Sequence, residues 1–166
     1  MKTQNTVSPN TEILIKNLTG LLHKGNAHVS LDDALENINF KLLGKMPGGL
    51  PYSIWQLAEH LRIAQWDILE FSRNKNYISP DWPEGYWTKN VSPASEKEWQ
   101  NCLEQIKSDS TAFINLLTEA GEGIYQPFEY GTGQSLLKEV LVIADHNSYN
   151  TGEIIILRRL LNDWEK

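Results

Sequence analysis

A long helical pattern near the C-terminus, over residues 134–161, constrains the fold of this chain more than any other feature. The pattern is nearly continuously apolar at first, turns polar over residues 145–153, and then becomes apolar again. A helix with polar residues in its middle either exposes them to water or uses them. Because residues four apart share a helical face, His146 and Asn150 stack, and Glu153 falls close to the same line. We therefore interpret this stretch as one wall of a polar site inside a helical bundle.

Three further helical patterns precede this one, and irregular connections separate them. They cover residues 11–24, 53–72 and 95–119, and a short helix lies between the first two. The connections contain Pro and Gly residues that do not continue a helix, and they hold no convincing pair of strands. Four substantial helices with long irregular connections predict an all-α four-helix bundle. We expect residues 11–166 to form this single domain behind a flexible N-terminal tail at residues 1–10.

Composition argues against several classes of function. The net charge of −6 and the lack of any basic run argue against a nucleic-acid-binding surface, which needs clustered Lys and Arg. Cys102 is the only cysteine, which excludes an internal disulfide and a cysteine metal cluster. The first ten residues lack the apolar core of a signal peptide, and no apolar stretch is long enough for a membrane span. We expect a cytoplasmic protein with neither nucleic-acid nor membrane partners.

His60 is the best candidate for a second wall of the site. It lies at the edge of the apolar stripe of the second long helix, with Ala64 and Asp67 beside it. If this helix neighbours the last one, His60 and His146 can meet, and neutral imidazole is a ligand for Zn, Ni, Cu or Fe. Two histidines are a weak metal signal, because a tight site needs three protein ligands. From spacing alone, the favoured alternative is that both histidines are hydrogen-bonded at a helix interface.

Asn150 and Glu153 are the candidates for a third metal ligand. The Asn150 amide oxygen is a weak donor to transition metals, whereas the Glu153 carboxylate is a better ligand but lies one helical turn further along. A carboxylate at the edge of an apolar stripe needs a cation or hydrogen-bond donors. We expect Glu153 to pair with a protonated His146 and to raise the pKa of that histidine. The alternatives are that Glu153 binds the metal or meets an Arg from another helix.

Three expectations concern the surroundings of this site. The aromatic, proline-containing segment at residues 82–87 is expected to pack over the site as a lid. Cys102 is expected to be a small core residue and not a nucleophile. Arg158 and Arg159 are expected to form surface pairs near the C-terminal end of the last helix, where cations are favoured.

Three segments, taken in order, resemble one protein family. Residues 53–61, Ser-Ile-Trp-Gln-Leu-Ala-Glu-His-Leu, resemble the second-helix signature of the DinB-like superfamily. Residues 82–87 resemble the loop that follows in one of its subfamilies, and residues 136–161 resemble its last helix. Each motif alone is modest, but three in this order are specific. Together they extend the resemblance over nearly the whole chain after the tail.

The resemblance implies a four-helix bundle with a metal site of three histidines, one on the second helix and two spaced four apart on the last. His60 matches the first histidine and His146 the second, whereas Asn150 occupies the third position. The Gly-Gln that follows in the family reads Gly152-Glu153 here. The triad is therefore incomplete, and the candidate metal-site residues are His60, His146, Asn150 and Glu153.

The same resemblance implies two alternative functions. Characterised relatives include transferases and isomerases that use low-molecular-weight thiols, so one expectation is a thiol-transferase-like enzyme in which a divalent metal, Zn or Ni, binds the thiol as thiolate. The alternative is a degenerate, non-catalytic member that binds a small ligand or a protein partner without metal, because a fold does not settle a function. The expected partners are a small molecule or thiol and, in a homodimer, a second copy of the chain.

Overall fold

The computed structural model describes residues 7–24 and 26–164, and over these residues it is helical without a strand. Its α-helices are α1 (Pro9–Lys24), α2 (Leu31–Leu35), α3 (Ile54–Arg73), α4 (Glu96–Ala120) and α5 (Leu136–Leu160). The all-α prediction is thus confirmed for this part of the chain, with the four long helices where the sequence places them and α2 as the short one. None of the described helices combines the length and apolar composition needed to cross a membrane.

The first helix begins earlier than the sequence pattern predicts. It starts at Pro9, so Pro9 and Asn10 of the predicted tail are helical. Proline is favoured in the first turn of a helix, where its missing N–H removes no hydrogen bond. The Ser8 hydroxyl accepts from the Thr11 backbone N–H at 3.3 Å and caps this turn. The tail prediction for residues 1–6 lies outside the described residues.

Serine caps set the starts of α3 and α5, and therefore the register of the site residues on them. Ser53 and Gln56 form a capping box, with Oγ of Ser53 3.2 Å from the Gln56 backbone nitrogen and Oε1 of Gln56 3.2 Å from the Ser53 backbone nitrogen. The Ser135 hydroxyl accepts from the Lys138 backbone N–H at 3.3 Å. These short-range bonds fix where each helix begins.

A polar layer between two apolar clusters explains the interrupted pattern of α5. Helix α3 packs against α4 and α5, and α1 packs against the same two helices. One cluster contains the buried residues Leu61 and Leu157, and the other contains Leu69 and Val140. Between these clusters lies the buried Gln65, whose Nε2 donates to the Ile106 carbonyl at 2.5 Å. Asn147 of α5 faces this layer and donates to the Gln65 amide oxygen, as expected for polar groups that leave water, whereas Asp145 and Ser148 stay exposed.

The prediction of surface pairs for both C-terminal arginines is wrong for Arg158. Its side chain is only 5% exposed, and its Nη1 donates to the backbone carbonyls of Ala34 and Glu36 at 2.8 and 3.0 Å. Its Nε also donates to a carboxylate oxygen of Asp163 at 3.0 Å. Arg158 therefore joins α5 to the end of α2, whereas Arg159 is exposed as predicted.

Candidate functional site

His60 and His146 meet directly, as the sequence predicts. Their Nε2 atoms lie 2.9 Å apart, and the two rings are inclined at 68° with centroids 4.8 Å apart. His60 is on α3 and His146 on α5, so the prediction that these two helices are neighbours is confirmed. The two rings meet because each histidine lies at the edge of an apolar stripe, and α3 and α5 bury these stripes against each other.

The tautomers of the two imidazoles follow from the bonds they make. Nδ1 of His60 lies 3.0 Å from the backbone carbonyl oxygen of Tyr86, and a carbonyl can only accept. Nδ1 of His60 therefore carries its proton, and in the neutral ring Nε2 is an acceptor. It follows that His146 donates through Nε2–H to Nε2 of His60. Trp87 stacks on the His60 ring at a centroid distance of 4.1 Å and an angle of 4°, which holds that ring in place.

Both imidazoles are neutral at pH 7. Burial first of all, and then the neighbouring His60, lower the pKa of His146 to about 4 against the opposing effect of Asp145. Burial also lowers the pKa of His60, although the Tyr86 carbonyl and Glu153 act in the opposite direction. The expectation that Glu153 raises the pKa of His146 in an ion pair is therefore wrong, because desolvation of the charged imidazolium dominates.

Glu153 is bound by tyrosines and not by His146. The Tyr52 hydroxyl donates to Oε1 of Glu153 at 2.6 Å, and this bond is the main reason that the pKa of Tyr52 is raised to about 12. The hydroxyl of the exposed Tyr149 also approaches this carboxylate, which raises the pKa of Tyr149. The Tyr52 hydroxyl thus provides a donor of the kind that a carboxylate at this position needs, without a cation.

Asn150 occupies the position of the third family histidine, but its amide is engaged elsewhere. The side chain is 2% exposed, and its Nδ2 donates to the His146 backbone carbonyl one turn earlier at 2.8 Å. Among the described residues, no group of three or more His, Cys, Asp or Glu side chains is placed to hold a metal ion. Two imidazoles bonded to each other, a neutral amide and a tyrosine-bound carboxylate do not fit a closed transition-metal site. Metal binding by these four residues stays a prediction.

All four predicted site residues line one cavity of about 400 Å³ between α3 and α5. Helix α5 contributes one wall, formed by His146, Tyr149, Asn150 and Glu153. The sequence places His146, Asn150 and Glu153 on one helical face, and the structure confirms that they share a cavity. Helix α3 contributes the opposite wall with His60, Ala64 and Asp67.

Aromatic side chains of the 82–87 segment close the cavity on a third side. Trp82, Tyr86 and Trp87 line it, and Trp82 remains 73% exposed at its rim. The backbone of this segment is bound to the site through the Tyr86 carbonyl, which accepts from His60. The prediction that this segment packs over the site is confirmed by these contacts.

Asp67 is a site residue that the sequence analysis left beside His60 without a role. It follows His60 by seven residues on α3, and this spacing, nearly two turns, is the signal that places both on one face. The carboxyl group is 9% exposed, and Oδ2 accepts from the Tyr86 hydroxyl at 2.7 Å. The other oxygen, Oδ1, is buried and has no hydrogen-bond partner.

The cavity has an acidic balance. Two of its described lining residues are acids, Asp67 and Glu153, and none is Lys or Arg. Since His60 and His146 are neutral, no basic group offsets these carboxyl groups. The single cysteine lies elsewhere, because Cys102 is buried in an apolar cluster where desolvation raises the pKa of its thiol. A protein nucleophile of the cysteine type is therefore not part of this site.

No protein-family model matches the chain, and no curated protein and no solved structure matches it either. The DinB-like resemblance therefore rests on the residues of the three segments alone.

Proposed function

We propose that this chain is a DinB-like four-helix-bundle protein whose cavity binds a small organic molecule without a metal. One observation carries the proposal: His60 and His146 hydrogen-bond to each other inside an aromatic-walled cavity of about 400 Å³. In this pair each Nε2 atom has a hydrogen-bond partner without a metal, so the cavity remains available to an organic ligand. This is the second of the two functions that the resemblance implies.

The size and lining of the cavity favour a small-molecule ligand. Binding sites of this kind are concave, mostly apolar, and fitted with a few polar groups that orient the ligand. Here Trp82, Trp87 and Tyr86 supply flat apolar area, while the histidine pair and the two carboxyl groups supply polarity. Aromatic side chains bind ligands with little loss of conformational entropy, because they have few rotatable bonds.

A metal-dependent, thiol-transferase-like enzyme is the second candidate, and one observation favours it. The Tyr86 carbonyl binds Nδ1 of His60, an arrangement that is common for metal-binding histidines because it directs Nε2 to the metal. However, His146 would first have to move its proton from Nε2 to Nδ1, and Glu153 would have to leave Tyr52. The low-molecular-weight thiol belongs to this candidate as a prediction from the resemblance, and the homodimer stays a prediction for either candidate.

Titration with small aromatic fragments tests the proposal. Indole, 4-methylphenol and 2-phenylethanol are added in the presence of EDTA, while NMR follows the imidazole resonances of His60 and His146. We expect at least one fragment to shift both histidines with a dissociation constant on the order of 1 mM or lower. If no fragment shifts these resonances, or if binding needs added Zn or Ni, the proposal is wrong.

A cavity-filling variant locates the binding site. Ala64 lines the cavity and is 7% exposed, so the larger side chain of Ala64→Phe would occupy the ligand volume. Ser108→Phe is the matched control, because it adds the same side chain at an exposed position of α4 away from the cavity. We expect Ala64→Phe to abolish fragment binding and Ser108→Phe to leave it unchanged. Equal binding by both variants would place the fragment outside this cavity.

A further inference from the structure

We infer that the ligand of this cavity is an organic ammonium ion, a protonated amine on an apolar body, and that Asp67 accepts its N–H donors. This inference rests on the proposed function and names the chemical class of its ligand. Three features of the cavity support it: an unpaired buried oxygen, an excess of acidic groups, and aromatic walls. Each is argued below from the described residues.

The first feature is the unpaired oxygen of Asp67. Buried carboxylate oxygens are almost always hydrogen-bonded, because leaving one unpaired forfeits its hydration without compensation. Tyr86 satisfies only Oδ2. The Tyr77 hydroxyl is nearby, since burial and the Asp67 carboxylate together raise the pKa of Tyr77 to about 12, but no hydrogen bond of good geometry reaches Oδ1. A ligand that brings an N–H donor would complete the bonding of this carboxyl group.

The second feature is that, in the part of the chain that the structure describes, Asp67 forms no ion pair with a Lys or Arg side chain. The ion pairs of the described residues all lie elsewhere, and they are Arg62 with Glu59, Arg73 with Glu70, and Arg158 with Asp163. A second buried acid, Glu139, interacts with Asp67: burial raises the pKa of Glu139, Lys138 lowers it, and Asp67 raises it. An anionic ligand would meet repulsion here, whereas a cation would be the missing counter-charge.

The third feature is the aromatic lining. The faces of Trp and Tyr rings attract cations, and the attraction grows when the cation is shielded from water. Trp82 and Tyr86 lie edge to face with centroids 5.3 Å apart, and the hydroxyl of this same Tyr86 binds Asp67. A carboxyl group beside such rings is the combination that binds an ammonium head group together with an apolar body.

Asp67 is the better anchor of the two carboxyl groups. Glu153 is only half-buried, and its Oε1 already accepts from the Tyr52 hydroxyl. Asp67 is the more deeply placed group with an oxygen still unpaired. We therefore expect the ammonium group at Asp67 and the apolar body of the ligand against the aromatic rings.

Three soluble probes of nearly equal shape test this inference. They are 2-phenylethylamine, which is a cation at pH 7.5, the neutral 2-phenylethanol, and the anion phenylacetate. Calorimetry on the full chain should show the amine binding about tenfold more tightly than the alcohol, since charge-assisted hydrogen bonds are stronger than neutral ones, and phenylacetate binding most weakly. Equal affinities for amine and alcohol would overturn the inference and leave the proposed function standing. Failure of the alcohol, the amine and the other aromatic fragments to bind would overturn both.

Two charge-removing variants assign the effect to Asp67. In Asp67→Asn, which keeps the shape of the side chain, the preference for amine over alcohol should fall below about threefold, because the amine loses more affinity than the alcohol. Glu70→Gln removes one charge from the same helix outside the cavity and should keep the full preference. If Glu153→Gln removes the preference and Asp67→Asn does not, Asp67 is not the anchor. Should Asp67→Asn fail to fold, the amine-to-alcohol ratio of the unmodified chain still decides the ligand class.

Discussion

The Nε2 atoms of His60 and His146 lie 2.9 Å apart at the base of an aromatic cavity, a hydrogen bond in which one imidazole must donate and the other accept. Neutral rings form this bond, whereas two protonated rings would repel each other and present donor against donor. Protonation of the pair should therefore lower the free energy of unfolding of the bundle.

Acid should destabilise the fold through His146. The pKa of this histidine is lowered from an ordinary value near 6.5 to about 4, so the unfolded chain binds its proton more readily than the folded chain does. The stabilisation is fully present above the unfolded pKa and is lost as the pH falls from about 6.5 towards 4. Because the group is partly screened by solvent, we expect a loss on the order of 2 kcal/mol. Urea unfolding at several pH values measures it.

The His146→Gln variant is the control for this pH dependence, because it cannot titrate. The difference in unfolding free energy between the two proteins should shrink as the pH falls, while the carboxylates common to both contribute equally. An NMR titration that places the pKa of His146 at or above 6.5 in the metal-free protein would contradict the prediction.

Asn150→His should increase the affinity for Zn or Ni by about tenfold or more, because it adds the imidazole that the family pattern has at this position. Isothermal titration of protein purified without an affinity tag measures the change. Asn147→His is the matched control, since Asn147 is on the same helix but outside the cavity, with its amide directed at Gln65. No gain from Asn150→His, or an equal gain from Asn147→His, would remove Asn150 from any metal site.

Trp87→Ala should weaken fragment binding about tenfold, because the indole stacks on His60 and forms part of the cavity wall. The same change should increase proteolytic cleavage within residues 82–87, which lose this contact with the body of the protein. Trp66→Ala removes an indole outside the cavity and should affect neither quantity. Unchanged fragment affinity in Trp87→Ala would show that the segment does not contribute to binding.

Arg158→Ala should destabilise the protein by about 3 kcal/mol, because it leaves the buried Ala34 carbonyl, the partly buried Glu36 carbonyl and a carboxylate without their donor. The neighbouring Arg159→Ala changes the net charge by the same amount at an exposed position and should cost less than about 0.5 kcal/mol. Chemical denaturation of both variants gives the comparison. Similar stabilities for the two would contradict the joining role of Arg158.

The sequence by itself determined the features that depend on near neighbours. The capping box of Ser53 and Gln56 spans three residues, and the spacing of His146, Asn150 and Glu153 spans two helical turns, so both follow from helix geometry. Even the meeting of His60 with His146 was predictable, because each lies at the edge of a stripe that must be buried.

Only the tertiary structure decided which partner each buried polar group takes. Glu153 pairs with Tyr52, 101 residues away, and Arg158 with the Ala34 carbonyl, 124 residues away, and no local pattern identifies either partner. Likewise, Oδ1 of Asp67 is unpaired only because of how α3 and the 82–87 segment pack. The physical reason is burial. A polar group that loses its water needs a hydrogen-bond donor or acceptor close to it in space, and only the folded structure determines which groups lie close.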